Sequence, residues 1–137
     1  SLRPLLAVAY VSSLATKLSD TLASEVGKAY GKTCYLSTTL KRVPPGTEGA
    51  VSLEGTLAGF AGSVVAAAYA IGVGLTPRAA LLPVVIAAFV ATTCESWLGA
   101  GAQGKVKWLT NEVINFLNTL IGAGVGAALS FRLFNLY

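Results

Sequence analysis

The chain has no histidine, no methionine, only two cysteines, and few charges. Asp, Glu, Lys and Arg together make up 12% of its 137 residues, against about 25% in an ordinary soluble domain. Each shortage excludes something. Without histidine there is no imidazole base, which removes the common hydrolytic triads and any His-ligated zinc. Cys34 and Cys94 have no metal-ligand spacing, so they read as buried or unreactive thiols. Without methionine the chain does not begin at a natural start residue, and the expectation is the C-terminal part of a longer polypeptide. The formal charge of +4 needs no nucleic acid to explain it on a membrane protein.

What fills the chain instead is apolar: 54% hydrophobic residues and a mean hydropathy of +0.68. Three uncharged runs, residues 57–75, 79–94 and 113–131, approach the ~20 residues a helix needs to cross ~30 Å of hydrocarbon. A fourth, residues 4–16, is short and is extended by the polar residues after it. It is not read as a signal peptide, because no small-residue cleavage site leads into a soluble domain. The expected fold is therefore all-α, a single integral membrane domain over residues 1–137 with about four membrane helices and a polar interfacial loop.

Alternating crossings put residues 17–55 and 95–111 on one face and the 76–78 turn on the other. Charge agrees with this division. Lys17, Lys28, Lys32, Lys41, Arg42, Lys105 and Lys107 fall on the first face, and so do all six acidic residues. By the positive-inside rule that face is cytoplasmic, or the matrix or stromal side of an organelle.

The first apolar run continues through KLSDTLASEVGKAYG with Ser13, Lys17, Asp20, Ser24, Gly27 and Gly31 at three- and four-residue spacing. This is one helix leaving the bilayer with a polar, small-residue stripe. Pro44-Pro45-Gly46 must break regular structure. Pro83 is tolerated near a membrane helix end or as a kink. The last helix is expected to start at Thr110 or Asn111, with Glu112 in its first turn, where the dipole favours an anion.

GKAYGKT, residues 27–33, imitates a phosphate-binding P-loop but fails on count. Three residues separate Gly27 from Gly31-Lys32-Thr33 where four are required, so a helix end at Gly31 is the better reading. The segment TLKRVPPGTEGAVSLEGT supports two readings. Lys41 and Arg42 supply donors, and Gly46, Gly49 and Gly55 free the backbone to aim N–H groups at an anion, which is the composition of a phosphate cradle. It is equally the composition of a surface loop that meets anionic lipid. Asp20, Glu25 and Glu95 supply the hard oxygens a Mg²⁺ would use, although Asp20 and Glu25 stand about 140° apart around a helix. The alternative is surface carboxylates paired with Lys17 and Lys28. Asn111, Asn115 and Asn118 align three amides on one helix face, either as interhelical glue or, for Asn111 and Asn115, as ligand contacts. The pairs Gly55/Gly59 and Gly122/Gly126 let helices approach closely.

DTLASEVGKAYGKTCYLSTTLKRVPPGTEGAVSLEGTLAG, ATTCESWLGA and KWLTNEVINFLNTLIGA resemble the plant phytyl-phosphate kinase family of the vitamin E pathway, a wider group of integral membrane proteins that includes an animal transmembrane protein. The resemblance covers residues 17 to about 126, and the motif in residues 20–59 is its specific part. It implies phosphoryl transfer from a nucleoside triphosphate to phytyl or another isoprenyl phosphate, giving the diphosphate for tocopherol synthesis. It also implies a chloroplast membrane in a photosynthetic eukaryote. The layout is similar to polyprenol kinases and lipid cytidylyltransferases, which points to CTP as donor. Carried over by similarity, the family's polar motif falls on Asp20, Ser24, Glu25, Lys41, Pro45, Gly46, Thr47, Gly49, Ser52, Gly55, Thr56, Glu95, Asn111 and Asn115.

The resulting expectation has Asp20, Lys41 and Glu95 as the catalytic residues. Asp20 and Glu95 with Glu25 hold Mg²⁺. Lys41, Arg42, Gly46, Thr47, Gly49, Ser52, Gly55 and Thr56 grip phosphates, while Asn111 and Asn115 position nucleotide or lipid. The isoprenyl tail lies between helices, where Ala, Gly, Phe60 and Phe89 leave apolar room. No histidine is needed, because a phosphate monoester with a second pKa near ~6 is already a nucleophile at neutral pH. The alternatives are a lipid cytidylyltransferase built on the same loops and a non-enzymatic transporter or scaffold.

Overall fold

The computed structural model describes residues 2–102 and 105–135. Four helices form in the described residues: α1 (Leu2–Tyr30), α2 (Leu53–Gly72), α3 (Leu81–Gly101) and α4 (Asn111–Phe134), with a single 3-10 turn, Arg78–Ala80, leading into α3. Three short strands, β1 (Cys34–Leu36), β2 (Arg42–Val43) and β3 (Ala50–Ser52), lie between α1 and α2.

Local chemistry sets the helix limits. Ser52 caps α2 by accepting from the Gly55 N–H at 3.1 Å, and Thr110 caps α4 by accepting from Val113 N–H at 3.3 Å, with Glu112 in the first turn as expected. Helix α1 runs unbroken to Tyr30, where Gly31 N–H closes on Gly27 O at 3.0 Å. GKAYGKT is thus a helix end and not a P-loop. Pro83 is the third residue of α3, where its missing N–H would have had no intrahelical partner.

Among the described residues, α2, α4 and the stretch Arg78–Gly101 are long and apolar enough to cross a membrane. The expected count of four spans becomes three, because α1 carries Arg3, Lys17, Asp20, Glu25 and Lys28 along its 29 residues. Helix α1 nevertheless packs against all three spans. Within an apolar 18-residue stretch of each span, only 28–39% is buried in the bundle. Outward side chains such as Leu57, Val65, Tyr69, Leu82, Ile86, Phe116 and Leu120 are exposed, as a lipid-facing surface requires.

The close approaches run through glycine. A Cβ at Gly55 would fall on the Ala23 carbonyl oxygen, and one at Gly59 would lie 2.9 Å from that of Ser19. On α4, a Cβ at Gly122 would meet Thr16 Oγ1 and one at Gly126 would meet Ser12 Oγ. Both glycine pairs therefore seat α1, as their spacing suggested. The apolar core, Val8, Val11, Ala15, Ala67, Ala70, Val84 and Ala88, lies in the half of the bundle toward the 76–78 turn. The opposite half is polar.

The segment between α1 and α2 is more ordered than its composition suggests. Strand β1 is central, pairing antiparallel with β2 (Tyr35↔Arg42) and with β3 (Tyr35↔Val51). Tyr35, Val43 and Val51 favour extended backbone, while Pro44-Pro45-Gly46 ends β2 and starts the connection that crosses to β3, its turn closed by Thr47 Oγ1 donating to Pro44 O at 2.7 Å. Gly46 and Gly49 have φ of 89° and 77°, a region costly for other residues. Gly49 is doubly constrained, because a Cβ there would overlap the backbone of Ala100 on α3.

Candidate functional site

The polar half of the bundle encloses a cleft of about 560 Å³, within the usual range of ~300–1,000 Å³ for small-molecule sites. Its walls come from the second half of α1, the strand segment, the start of α2, the end of α3 and the start of α4. The two long connections expected to share one membrane face therefore meet around one cleft.

At its acidic centre, Asp20 of α1 and Glu95 of α3 are half-buried, and their carboxyl groups come within hydrogen-bonding reach of each other. Lys17, one turn before Asp20, lies close enough to Glu95 to act on it electrostatically, and so does Glu48 from the strand segment. The Lys17 ammonium donates to Asn115 Oδ1 at 3.1 Å. Behind Glu95, buried Asn118 donates from Nδ2 to Glu95 Oε2 at 3.5 Å. Of the three aligned amides, Asn111 and Asn115 line the cleft, whereas Asn118 braces it from within the bundle.

The remaining expected residues divide. Gly46, Thr47, Gly49, Ser52, Gly55 and Thr56 line the cleft, and so does Ser24. Several of their hydroxyls already have structural partners: Thr47 closes the Pro44 turn, Ser52 caps α2, and Thr56 Oγ1 donates to Ser52 O at 2.7 Å. The starts of α2 and α4 both border the cleft, so two positive dipole ends face it. Lys41, Arg42 and Pro45 are not among the lining residues. Leu40, with φ 56°, borders the cleft while largely exposed, and Lys41 and Arg42 after it are exposed and off the wall. Glu25 stands on the cleft wall but makes an exposed ion pair with Lys28 at 3.8 Å.

The donor set suits only one kind of divalent site. Among the described residues no group of three His, Cys, Asp or Glu side chains could hold a metal, so the expected trio of Asp20, Glu25 and Glu95 does not assemble. Two facing carboxyls do. Mg²⁺ is bound through one or two carboxylates plus substrate phosphates and water, so the pair fits that ion where it would not fit a closed protein cage.

Other cleft residues have no counterpart among the expected ones. Ser37, Glu48, Thr92, Thr93 and Ser96 line it, and the Ser37 hydroxyl is buried without a partner. Lys17 was legible in part, since its i,i+3 spacing to Asp20 puts both on one helix face.

Fold and cleft define a polytopic membrane protein with a polar site at one end of its helix bundle. The chain belongs to the integral membrane protein family DUF92, whose model matches residues 1–123. It is 58% identical over 120 residues to an uncharacterized membrane protein of Synechocystis, covering 88% of this chain and 46% of that one. It is 51% identical over 117 residues to the chloroplastic protein VTE6 of Arabidopsis thaliana, covering 83% and 35%. A membrane protein of Methanocaldococcus jannaschii is 32% identical over 120 residues, covering 87% and 49%. The chain thus spans between a third and a half of the length of these curated relatives. No solved structure matches it.

Proposed function

We propose that the cleft is the site of a membrane kinase that transfers a phosphoryl group from a nucleoside triphosphate, with CTP the expected donor, to phytyl or another isoprenyl phosphate. The observation that carries this reading is the content of one cleft. The Asp20–Glu95 pair and Lys17 share it with Phe60 and Phe89, aromatic residues on α2 and α3 that are more than half exposed. A lipid whose head is an anion and whose body is hydrocarbon needs both in one place. The resemblance in residues 20–59 supports the same substrate class, and the chloroplastic relative supports a plastid membrane for plant members.

In this mechanism an oxygen of the lipid monophosphate attacks the terminal phosphorus of the nucleotide. The bond from that phosphorus to the bridging oxygen breaks, and a nucleoside diphosphate leaves with the electron pair. Asp20 and Glu95 would hold Mg²⁺, which supplies charge neutralisation for the transferring and leaving oxygens. The glycine turns at Gly46 and Gly49 and the helix start at Gly55 receive the nucleotide phosphates. Asn111 orients the donor. The tail lies between α2 and α3 against Phe60 and Phe89, outside the water that reaches the head. No side chain need remove a proton from the dianionic nucleophile.

The test is phosphoryl transfer by the full-length protein in lipid from labelled CTP, with ATP and UTP alongside, to phytyl phosphate. The expected products are phytyl diphosphate and a nucleoside diphosphate. A lipid-linked nucleotide with released diphosphate would instead identify a cytidylyltransferase, and no product from any donor would end the kinase reading.

A further inference from the structure

The cations that the sequence offers for phosphate, Lys41 and Arg42, lie outside the cleft walls, while Lys17 lies inside. Its depth can be read from the neighbouring helix. Gly55 meets Ala23, Gly59 meets Ser19, and Gly62 meets Leu18 and Leu22. The backbone of Lys17 is therefore level with the stretch of α2 near Gly62 and Ser63. That is roughly 15 Å below the start of the helix at ~1.5 Å per residue. The nucleotide-facing glycines belong to the strand segment and the first turn of α2, above the Lys17 backbone, and the Lys17 side chain rises toward them to reach Asn115, one turn into α4. Phe60, Ser63 and Phe89 line the cleft at the depth of Lys17.

Lys17 is exposed to the open cleft, so its ammonium takes a defined position only if something holds it. Asn115 does, from a different helix and 98 residues away in sequence. An ammonium has three donors, and Asn115 accepts one of them. Lys28, the other lysine on the wall, is paired with Glu25 and more than half exposed.

We propose that Lys17 is the residue that grips the phosphate of a single-chain lipid monophosphate, and that Asn115 positions it. This rests on reading the cleft as a lipid-phosphate site. The shared chemistry is a phosphate dianion, and the apolar Phe60 and Phe89 on the walls of the same cleft favour the lipid's phosphate over the nucleotide's.

The experiment uses full-length protein in nanodiscs with every tryptophan except Trp97 replaced by phenylalanine, so that Trp97 on the cleft wall reports binding. Geranylgeranyl monophosphate is titrated against geranylgeraniol, which has the same tail without the phosphate, and CTP is titrated separately. The wild-type background should prefer the phosphate. Lys17→Gln should lose that preference by roughly 10- to 100-fold, the worth of a charge-assisted hydrogen bond. It should leave alcohol and CTP binding within about twofold, with Lys17→Arg recovering part of the preference. Asn115→Ala should reduce the preference less than Lys17→Gln, and Lys41→Ala should leave it unchanged.

A Lys17→Gln protein that keeps full preference overturns the assignment. So does one that loses CTP binding instead, which would give Lys17 to the nucleotide. Should Lys17→Gln lose the alcohol as well, Lys17→Arg decides: recovered phosphate preference supports the proposal and its absence overturns it. Phosphate preference that depends on Lys17, with no phosphoryl transfer in the wild type, would end the kinase reading and leave this site standing. Transfer with a preference independent of Lys17 would do the reverse.

Discussion

Two carboxyl groups held within reach of each other, such as Asp20 and Glu95, repel when both are ionised. A cation or a shared proton between them relieves that cost, which makes the pair the residue-scale test of metal use. Asp20→Asn and Glu95→Gln should each lower phosphoryl transfer by about 10²-fold or more, the usual cost of losing an electrostatic contact to a transition state. Both should also weaken Mn²⁺ binding measured by electron paramagnetic resonance. Glu25→Gln should leave Mn²⁺ affinity unchanged, because Glu25 is engaged with Lys28 in an exposed pair and such pairs contribute only ~0–1 kcal/mol. Removing divalent cations with EDTA should abolish transfer and added Mg²⁺ should restore it; transfer that survives chelation would refute the role given to the pair.

At the scale of elements, α1 is seated by absent side chains. Gly122 and Gly126 meet Thr16 and Ser12, whereas a Cβ at Gly124 on the same helix would have nothing within 4 Å. Gly126→Leu should therefore destabilise the bundle by about 1–3 kcal/mol, the range for overpacking. Gly124→Ala should stay within about 0.5 kcal/mol. Thermal unfolding in detergent separates them, and equal effects would deny the close α1–α4 contact. Gly49→Ala combines a positive φ with overlap on Ala100. It should lift the strand segment from α3 and reduce donor affinity while the helices stay folded.

For the whole molecule, the arrangement predicts one chemical face. In a cysteine-free background, single cysteines at Lys41 and Lys105 should react with a membrane-impermeant maleimide from the same side, and one at Arg78 from the other. Labelling of Lys41 and Arg78 from one side would refute the alternation. On the proposed reading, a cleft at that face would let a soluble nucleotide and a lipid-anchored phosphate meet without either leaving its solvent.

Much of this was legible in the chain. The presence of the spans followed from apolar runs, the start of α4 from Thr110 as a cap and the end of α1 from Gly31 as a stop, because these are local preferences that a few neighbouring residues decide; the start of α2 at Leu53, four residues before its apolar run, needed the Ser52 cap to be seen. The glycine pairs and the Pro44-Pro45-Gly46 break were legible for the same reason. The strands of residues 34–52 were not, since two- and three-residue strands have no periodicity to read and exist only once β1 finds partners on both sides. Composition pointed to Lys41 and Arg42 as the phosphate cations and could not show that both are exposed and off the cleft wall. Lys17 needed Asn115, and Asp20 needed Glu95, contacts between distant parts of the sequence made by helix packing. The sequence by itself determined a membrane bundle with its ionisable chemistry on one face. Tertiary structure alone decided which of those charges share a cleft, because burial and electrostatic coupling depend on distance through space rather than along the chain.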